Sequence, residues 1–162
     1  MSPRCSKHET QRSMISSNQY QYPVNCGRLS YDESPAHTGR LKYSVDFIIP
    51  EGTPIKAALS GVVVDVKQDS DDGGPDKRFD SLGNYIEIEH RCKEYSIYEH
   101  IKKNGSKVKI GDKVKKGQVI GLSGNTGWVA QLGPHLHFDV HKYHEPFGPK
   151  DYETIEIRWK RN

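Results

Sequence analysis

The stretch Gly133-Pro134-His135-Leu136-His137-Phe138 reads as the start of a β-strand. Its two histidines stand one residue apart, bounded by Leu136 and Phe138. That spacing fits the two-residue period of a strand rather than the helical repeat. Leu136 and Phe138 are then expected to face a core, with His135 and His137 turned together to the other side. Two imidazoles side by side on one rigid face suit a metal ligand and a neighbouring acid–base group.

The same alternation recurs outward from this stretch. SVDFII (44–49), GVVVDV (61–66), NYIEIEH (84–90), YSIYEH (95–100), QVIGLSG (118–124), HLHFDVH (135–141) and TIEIRW (154–159) all alternate or form compact β-branched and aromatic runs. Turn residues separate them at Pro50-Glu51-Gly52, Asn104-Gly105, Gly111-Asp112 and Gly124-Asn125-Thr126-Gly127. No amphipathic helix of three turns is visible. The reading is an all-β fold, mainly antiparallel. A length of 162 residues suits one domain able to bury a core. Residues 1–22 are polar and Ser-rich and read as an N-terminal arm, leaving 23–162 as the domain. The polar insert Asp69–Leu82 reads as a solvated loop, since its aspartates fail the spacing of an EF-hand calcium loop.

Composition excludes several classes. A net charge of +3 without a Lys/Arg stripe does not point to nucleic acid. No stretch approaches the ~20 apolar residues of a membrane-spanning helix, so no membrane insertion is expected. The first twenty residues hold no apolar signal-peptide core. The expectation is a protein that acts inside the cell, leaves by lysis or a dedicated route, or has lost its leader. Three cysteines, Cys5, Cys26 and Cys92, lack a CxxC pair, so a cysteine zinc site is not expected. A Cys26–Cys92 disulfide and three free thiols both stay open.

The chain has eight histidines. A zinc hydrolase needs three protein ligands and an open fourth position. Asp46 alternates against Val45 and Phe47, so its carboxylate stands on the face opposite two apolar neighbours and needs a partner. His100 ends YSIYEH and by alternation shares a face with Tyr98. His8, His90 and His144 read as structural. His141, which shares the face of His135 and His137 by i+2 counting, is the reserve ligand.

Taken in order, DFIIPEGTPIKAALSGVVV, GNYIEIEH, YEHI, VKIGDKVKKGQVIGLSGNTG and GPHLHFDV resemble the lysostaphin/LytM-type zinc metallopeptidases from about His37 to His141. The resemblance implies a LytM-like β-sandwich or barrel-like domain with a zinc groove. Pro54–Val64 and Val108–Gly121 also look alike, and the second resembles a biotinyl/lipoyl carrier half-motif, so the architecture is related to that hybrid-motif fold. No Met-Lys dipeptide is present, which leaves a carrier role unsupported. The family resemblance further implies one zinc ion and hydrolysis of peptide bonds in peptidoglycan. Carried over, Asp46 and His137 are ligands, and His100 and His135 are catalytic. The family's H-x-x-x-D motif would place its first ligand at position 42, where this chain has Lys42, and a protonated lysine cannot ligate. His37, nine residues before Asp46, is the expected replacement, reached through a spacer turned by Gly39. The competing reading is an inactive peptidoglycan-binding or hydrolase-activating domain. Tyr98, Asn125 and Tyr43 are expected to line the groove. The expected setting is the cell wall or extracellular space, with cytoplasmic residence as the alternative, and the expected state is a monomer.

Overall fold

The computed structural model describes residues 15–31, 33–144 and 151–160. In chain order its strands are β1 (Arg28–Ser30), β2 (Val45–Ile48), β3 (Pro54–Lys56), β4 (Gly61–Lys67), β5 (Gly73–Gly74), β6 (Tyr85–Glu89) and β7 (Tyr95–Glu99). They continue with β8 (Ile101–Ser106), β9 (Lys113–Val114), β10 (Val119–Ser123), β11 (Gly127–Trp128), β12 (His135–Tyr143) and β13 (Tyr152–Thr154). Among the described residues the helical segments are all short 3-10 turns. The all-β, mainly antiparallel architecture expected from the alternation is the one observed.

The main sheet runs in the order β1-β2-β12-β7-β6-β4-β9, and β13 adds to β12 beyond the end of β2. A second sheet runs β3-β10-β8, and β5 pairs in parallel with β11. The two look-alike segments pair with one another, β3 on β10 and β4 on β9.

Strand β12 is the centre of the molecule. Leu136, Phe138 and Val140 are fully buried on its core face with Val45, Tyr98, Ile86 and Ile88. Burying each large apolar side chain is worth about 1.5–3 kcal/mol. His135, His137, Asp139 and His141 lie on the other face and are also buried. A strand covered on both faces with a polar row on one of them is costly unless every polar group finds a partner.

Of the segment read as an arm, residues 1–14, with Cys5 and His8, lie outside the described residues. Residues 15–22 pack against the body. Ile15 bridges to Glu156 and Tyr20 to Trp159. The buried Glu94 carboxylate accepts from the Ser17 and Asn18 amides and the Tyr20 hydroxyl. The insert 69–82 is folded as β5 and a 3-10 helix over Lys77–Leu82, capped by Asp76, whose side chain accepts from the Arg78 amide.

Neither cysteine expectation survives. Cys26 is exposed and free, and Cys92 is disulfide-bonded. Cys26 precedes edge strand β1, while Cys92 lies between β6 and β7. From β1 to β7 is three strand spacings, about 14 Å. That is too far for a disulfide, whose Cα atoms stand about 4.4–6.8 Å apart.

Candidate metal centre

The register of β12 on β2 sets His137 directly opposite Asp46. Such cross-strand neighbours share a face and hold their side chains in reach of each other. Asp46 Oδ1 stands 3.1 Å from His137 Nδ1, 3.3 Å from His37 Nε2 and 3.7 Å from His135 Nε2. The nearest ligand atoms of His37, Asp46 and His137 all lie within 4.8 Å of one another. Asp46 is fully buried, and its Oδ2 has no hydrogen-bond partner. Burial alone would raise its carboxyl. Hydrogen bonds from His137 and His37 outweigh that and hold it well below the usual carboxylate range. Two imidazoles and a carboxylate with an orphaned buried oxygen form a donor set suited to a divalent transition metal.

Four rings converge here, and their second nitrogens explain how. His37 Nδ1 stands 2.8 Å from the Tyr31 carbonyl, His100 Nδ1 2.7 Å from that of Thr126, and His135 Nδ1 2.8 Å from that of Gly133. A carbonyl only accepts, so each Nδ1 carries a hydrogen, and burial keeps His100 and His135 neutral with a lone pair on Nε2. His137 is turned the other way. Its Nδ1 faces Asp46, and its Nε2 lies 3.6 Å from Asp139 Oδ2.

His37 arrives on the loop between β1 and β2. Gly39 has φ +56°, a left-handed conformation that suits glycine. It starts the 3-10 turn Gly39–Leu41, which takes up the extra residues of the nine-residue spacing. Lys42 is exposed, with its ammonium 5.3 Å from the Tyr43 ring centroid and no place in the cluster.

His100 reaches the site by breaking the strand pattern. Straight continuation of β7 would put it on the core face with Tyr98. Its φ of +65° turns the backbone instead, a conformation costing about 1–3 kcal/mol that a non-glycine residue keeps only under constraint. The constraint is visible: the His100 carbonyl accepts from the Gly124 amide while its Nδ1–H donates to Thr126. The His100 and His135 ring centroids are 4.5 Å apart.

That turn corrects one groove assignment. Tyr98 is fully buried and lines no groove; its hydroxyl accepts from the Ala58 amide and from Ser96. Tyr43 is a second correction. It lines a surface recess with Val45, Ile157 and Trp159, and Val45 points to the core face, away from Asp46. Asn125 stays beside the site, in the turn whose neighbours Gly124 and Thr126 hold His100, and its Oδ1 is buried without a partner. The insert flanks the same side. β11 carries Gly127, where an added Cβ would stand 3.5 Å from His100 Nδ1, and β11 packs on the 3-10 helix Lys77–Leu82.

Residues 40–149 match the description Peptidase family M23. The chain belongs to peptidase family M23. A relative from Buchnera aphidicola, an "Uncharacterized metalloprotease", is 42% identical over 118 residues, covering 73% of this chain and 28% of that protein. The Vibrio cholerae peptidoglycan DD-endopeptidase ShyA is 41% identical over 95 residues, 59% of this chain and 19% of its own length. The chain thus spans less than a third of these curated relatives. The catalytic domain of the antimicrobial peptidase lysostaphin from Staphylococcus simulans has the same fold, with a TM-score of 0.52 and 29% identity over 85% of each chain. The M23 match begins at Arg40, so His37 lies just outside it, as does β13.

Sequence reasoning missed the layer behind the candidate ligands. Asp139 follows His137 by two residues on the same face, and a carboxylate inside a buried strand was the available signal. His141, the reserve ligand, does not join the metal cluster. Its Nδ1 donates to Asp139 Oδ1 at 2.7 Å and its Nε2 to Glu87 Oε1 at 2.8 Å, and Tyr143 also donates to Glu87. With both nitrogens facing carboxylates it is held as an imidazolium. Burial opposes that charge, but Asp139 and then Glu87 outweigh it and push the pKa up to about 9. Asp139 is left oriented toward His137, the carboxylate–histidine arrangement that fixes a ligand's tautomer and aim.

This network predicts a pH effect on stability. A folded pKa of about 9 lies above the ordinary 6.5. The His141 contribution is therefore complete below pH 6.5 and is lost as pH rises toward 9. Its size is on the order of 3 kcal/mol. His90 acts in the opposite direction, since burial lowers its pKa to about 4 and its contribution is lost as pH falls from 6.5 to 4. Urea unfolding of the metal-free protein should show stability falling from pH 6.5 to 9, with a shallower fall in His141→Gln. Equal slopes would show that His141 is not charged in the folded state.

Proposed function

We propose that this domain is a zinc metalloendopeptidase that cuts peptide bonds in bacterial peptidoglycan and acts at the cell wall. The observation carrying the reading is the convergence of His37, Asp46 and His137 around an unpartnered Asp46 Oδ2, with two further imidazoles presenting Nε2 beside it. The substrate class is supported by the peptidoglycan endopeptidase named among the relatives.

His37 Nε2, Asp46 and His137 Nδ1 would hold the ion. When bound, zinc supplies Lewis acidity that polarises a peptide carbonyl and eases deprotonation of water. His135 is the group for taking up a proton, because its Nε2 carries the lone pair and stands 3.7 Å from Asp46 Oδ1. His100, across from it, presents a second neutral Nε2, and the proton taken up from the water by either ring can then be handed to the leaving amine. Burial lowers the pKa of both rings, His100 to about 3, so both are neutral and ready to accept. Asn125 is assigned to the groove on the His100 side.

The test is metal analysis paired with digestion of purified peptidoglycan sacculi. One equivalent of zinc and release of soluble fragments are expected, with release abolished by phenanthroline and restored by added zinc. Sacculi bound but left intact by the fully zinc-loaded protein would sink the enzyme reading in favour of a wall-binding module.

A further inference from the structure

Strand β13 lies beyond the family match and sits where the His37 loop enters β2. β2 pairs with residues 135–138 of β12, and β13 takes up the same edge at 141–143, with Thr154 opposite His141. Thr154 is buried, and its hydroxyl joins two backbone groups in the last part of the loop. Oγ1 donates to the Arg40 carbonyl at 2.9 Å and accepts from the Tyr43 amide at 3.0 Å. Two positions earlier, the Tyr152 ring meets two cations. The Arg40 guanidinium lies 4.7 Å from its centroid, and the His141 ring lies 4.2 Å away. One short strand therefore touches the loop that carries His37 and the network behind His137.

We propose that Thr154 is a positioning residue for the metal centre: its hydroxyl clamps the loop 40–43 and so fixes where His37 presents Nε2. The inference rests on the reading of His37 as a ligand. The long spacer gives the reason for a clamp. A ligand nine residues from its partner Asp46 is held by a loop, and a loop left without tertiary bonds samples many conformations. Besides the contacts of its Nε2 with Asp46 and His137, His37 has its own Nδ1–H bond to Tyr31 and the local turn bonds to orient it. The bonds of Thr154 tie that loop to the central sheet within the 3-10 turn and just after it.

Thr154→Val keeps the shape of the side chain and removes both bonds, and Thr154→Ser restores the hydroxyl. In the metal-free protein, imidazole-detected NMR should show the His37 Nδ1–H signal broadened or lost in Thr154→Val. The signals of His100 and His135, pinned to Thr126 and Gly133, should persist, and Thr154→Ser should resemble the wild type. Competition of Zn2+ against a chelator should show affinity weakened about tenfold in the valine variant, within the range seen when outer-layer partners of ligands are removed. An unchanged His37 signal in a folded Thr154→Val protein overturns the clamp, as does loss of all three histidine signals together. If the valine variant fails to fold, Thr154→Ser carries the decision through the same His37 signal, because its hydroxyl without the methyl must still hold the loop. A wild-type protein that binds no zinc while its His37 signal still depends on Thr154 refutes the metal reading and leaves the clamp standing.

Discussion

Replacing His37 with alanine should leave a folded domain with no stoichiometric zinc and no hydrolysis, while Lys42→Ala should change neither. The ring of His37 supplies Nε2 at 3.3 Å from both Asp46 Oδ1 and His137 Nδ1. Without it the site keeps one imidazole and one carboxylate. Removing even an outer-layer partner typically costs about 10–100-fold in metal affinity, so loss of a ligand should exceed that range. Lys42 has its ammonium over the Tyr43 ring on the surface, so its removal changes only an exposed cation–π contact worth about 0.5–1 kcal/mol. Inductively coupled plasma analysis of the two purified variants, beside a sacculus-digestion assay, reads both halves. Zinc retained by His37→Ala and lost from Lys42→Ala would reverse the assignment.

How far the sequence reaches is visible at these two positions. The alternation of β12 and β2 was enough to place His135, His137 and Asp46 on one face, because side-chain period and register follow directly from an alternating apolar pattern. The same rule failed at His100. It put His100 and Tyr98 on one face, and only a positive φ, invisible in a single sequence, sends the histidine to the site and leaves the tyrosine in the core. Tyr43 failed for a related reason. It precedes β2, and its direction depends on how the loop enters the strand rather than on any period. The short strands β5, β9 and β11, two residues each, carry no pattern long enough to recognise.

The layer behind the ligands was partly legible. Asp139 and His141 fall on the face of His137 by counting, yet counting cannot tell a ligand from a group that orients one. The partner that settles the role of His141 is Glu87, 54 residues earlier on β6, a contact that depends on the order β12-β7-β6. Thr154 lies further still from any sequence signal. A single hydroxyl bridging Arg40 and Tyr43 across more than a hundred residues is purely a product of the fold.

Alanine at His135 or at His100 should lower kcat by about 10²–10⁴ while zinc stays stoichiometric. Both rings are held through Nδ1 by a backbone carbonyl and leave Nε2 for the reacting groups, and neither belongs to the cluster His37, Asp46 and His137. Their loss removes proton transfer or charge stabilisation without removing a donor to the metal. Asp46→Ala provides the contrast, since it should lose zinc and activity together. The 4.5 Å between the two ring centroids makes them act on one reacting group rather than on two. Their effects should then be strongly non-additive, as they are for residues that act as a unit. The double variant His100→Ala/His135→Ala should fall little below the slower of the two single variants. Steady-state kinetics on a soluble peptidoglycan fragment, with zinc measured on the same samples, decides the matter. Wild-type kcat in either single variant removes that histidine from the chemistry. Loss of zinc with activity in His135→Ala would instead make His135, 3.7 Å from Asp46 Oδ1, a ligand in its own right.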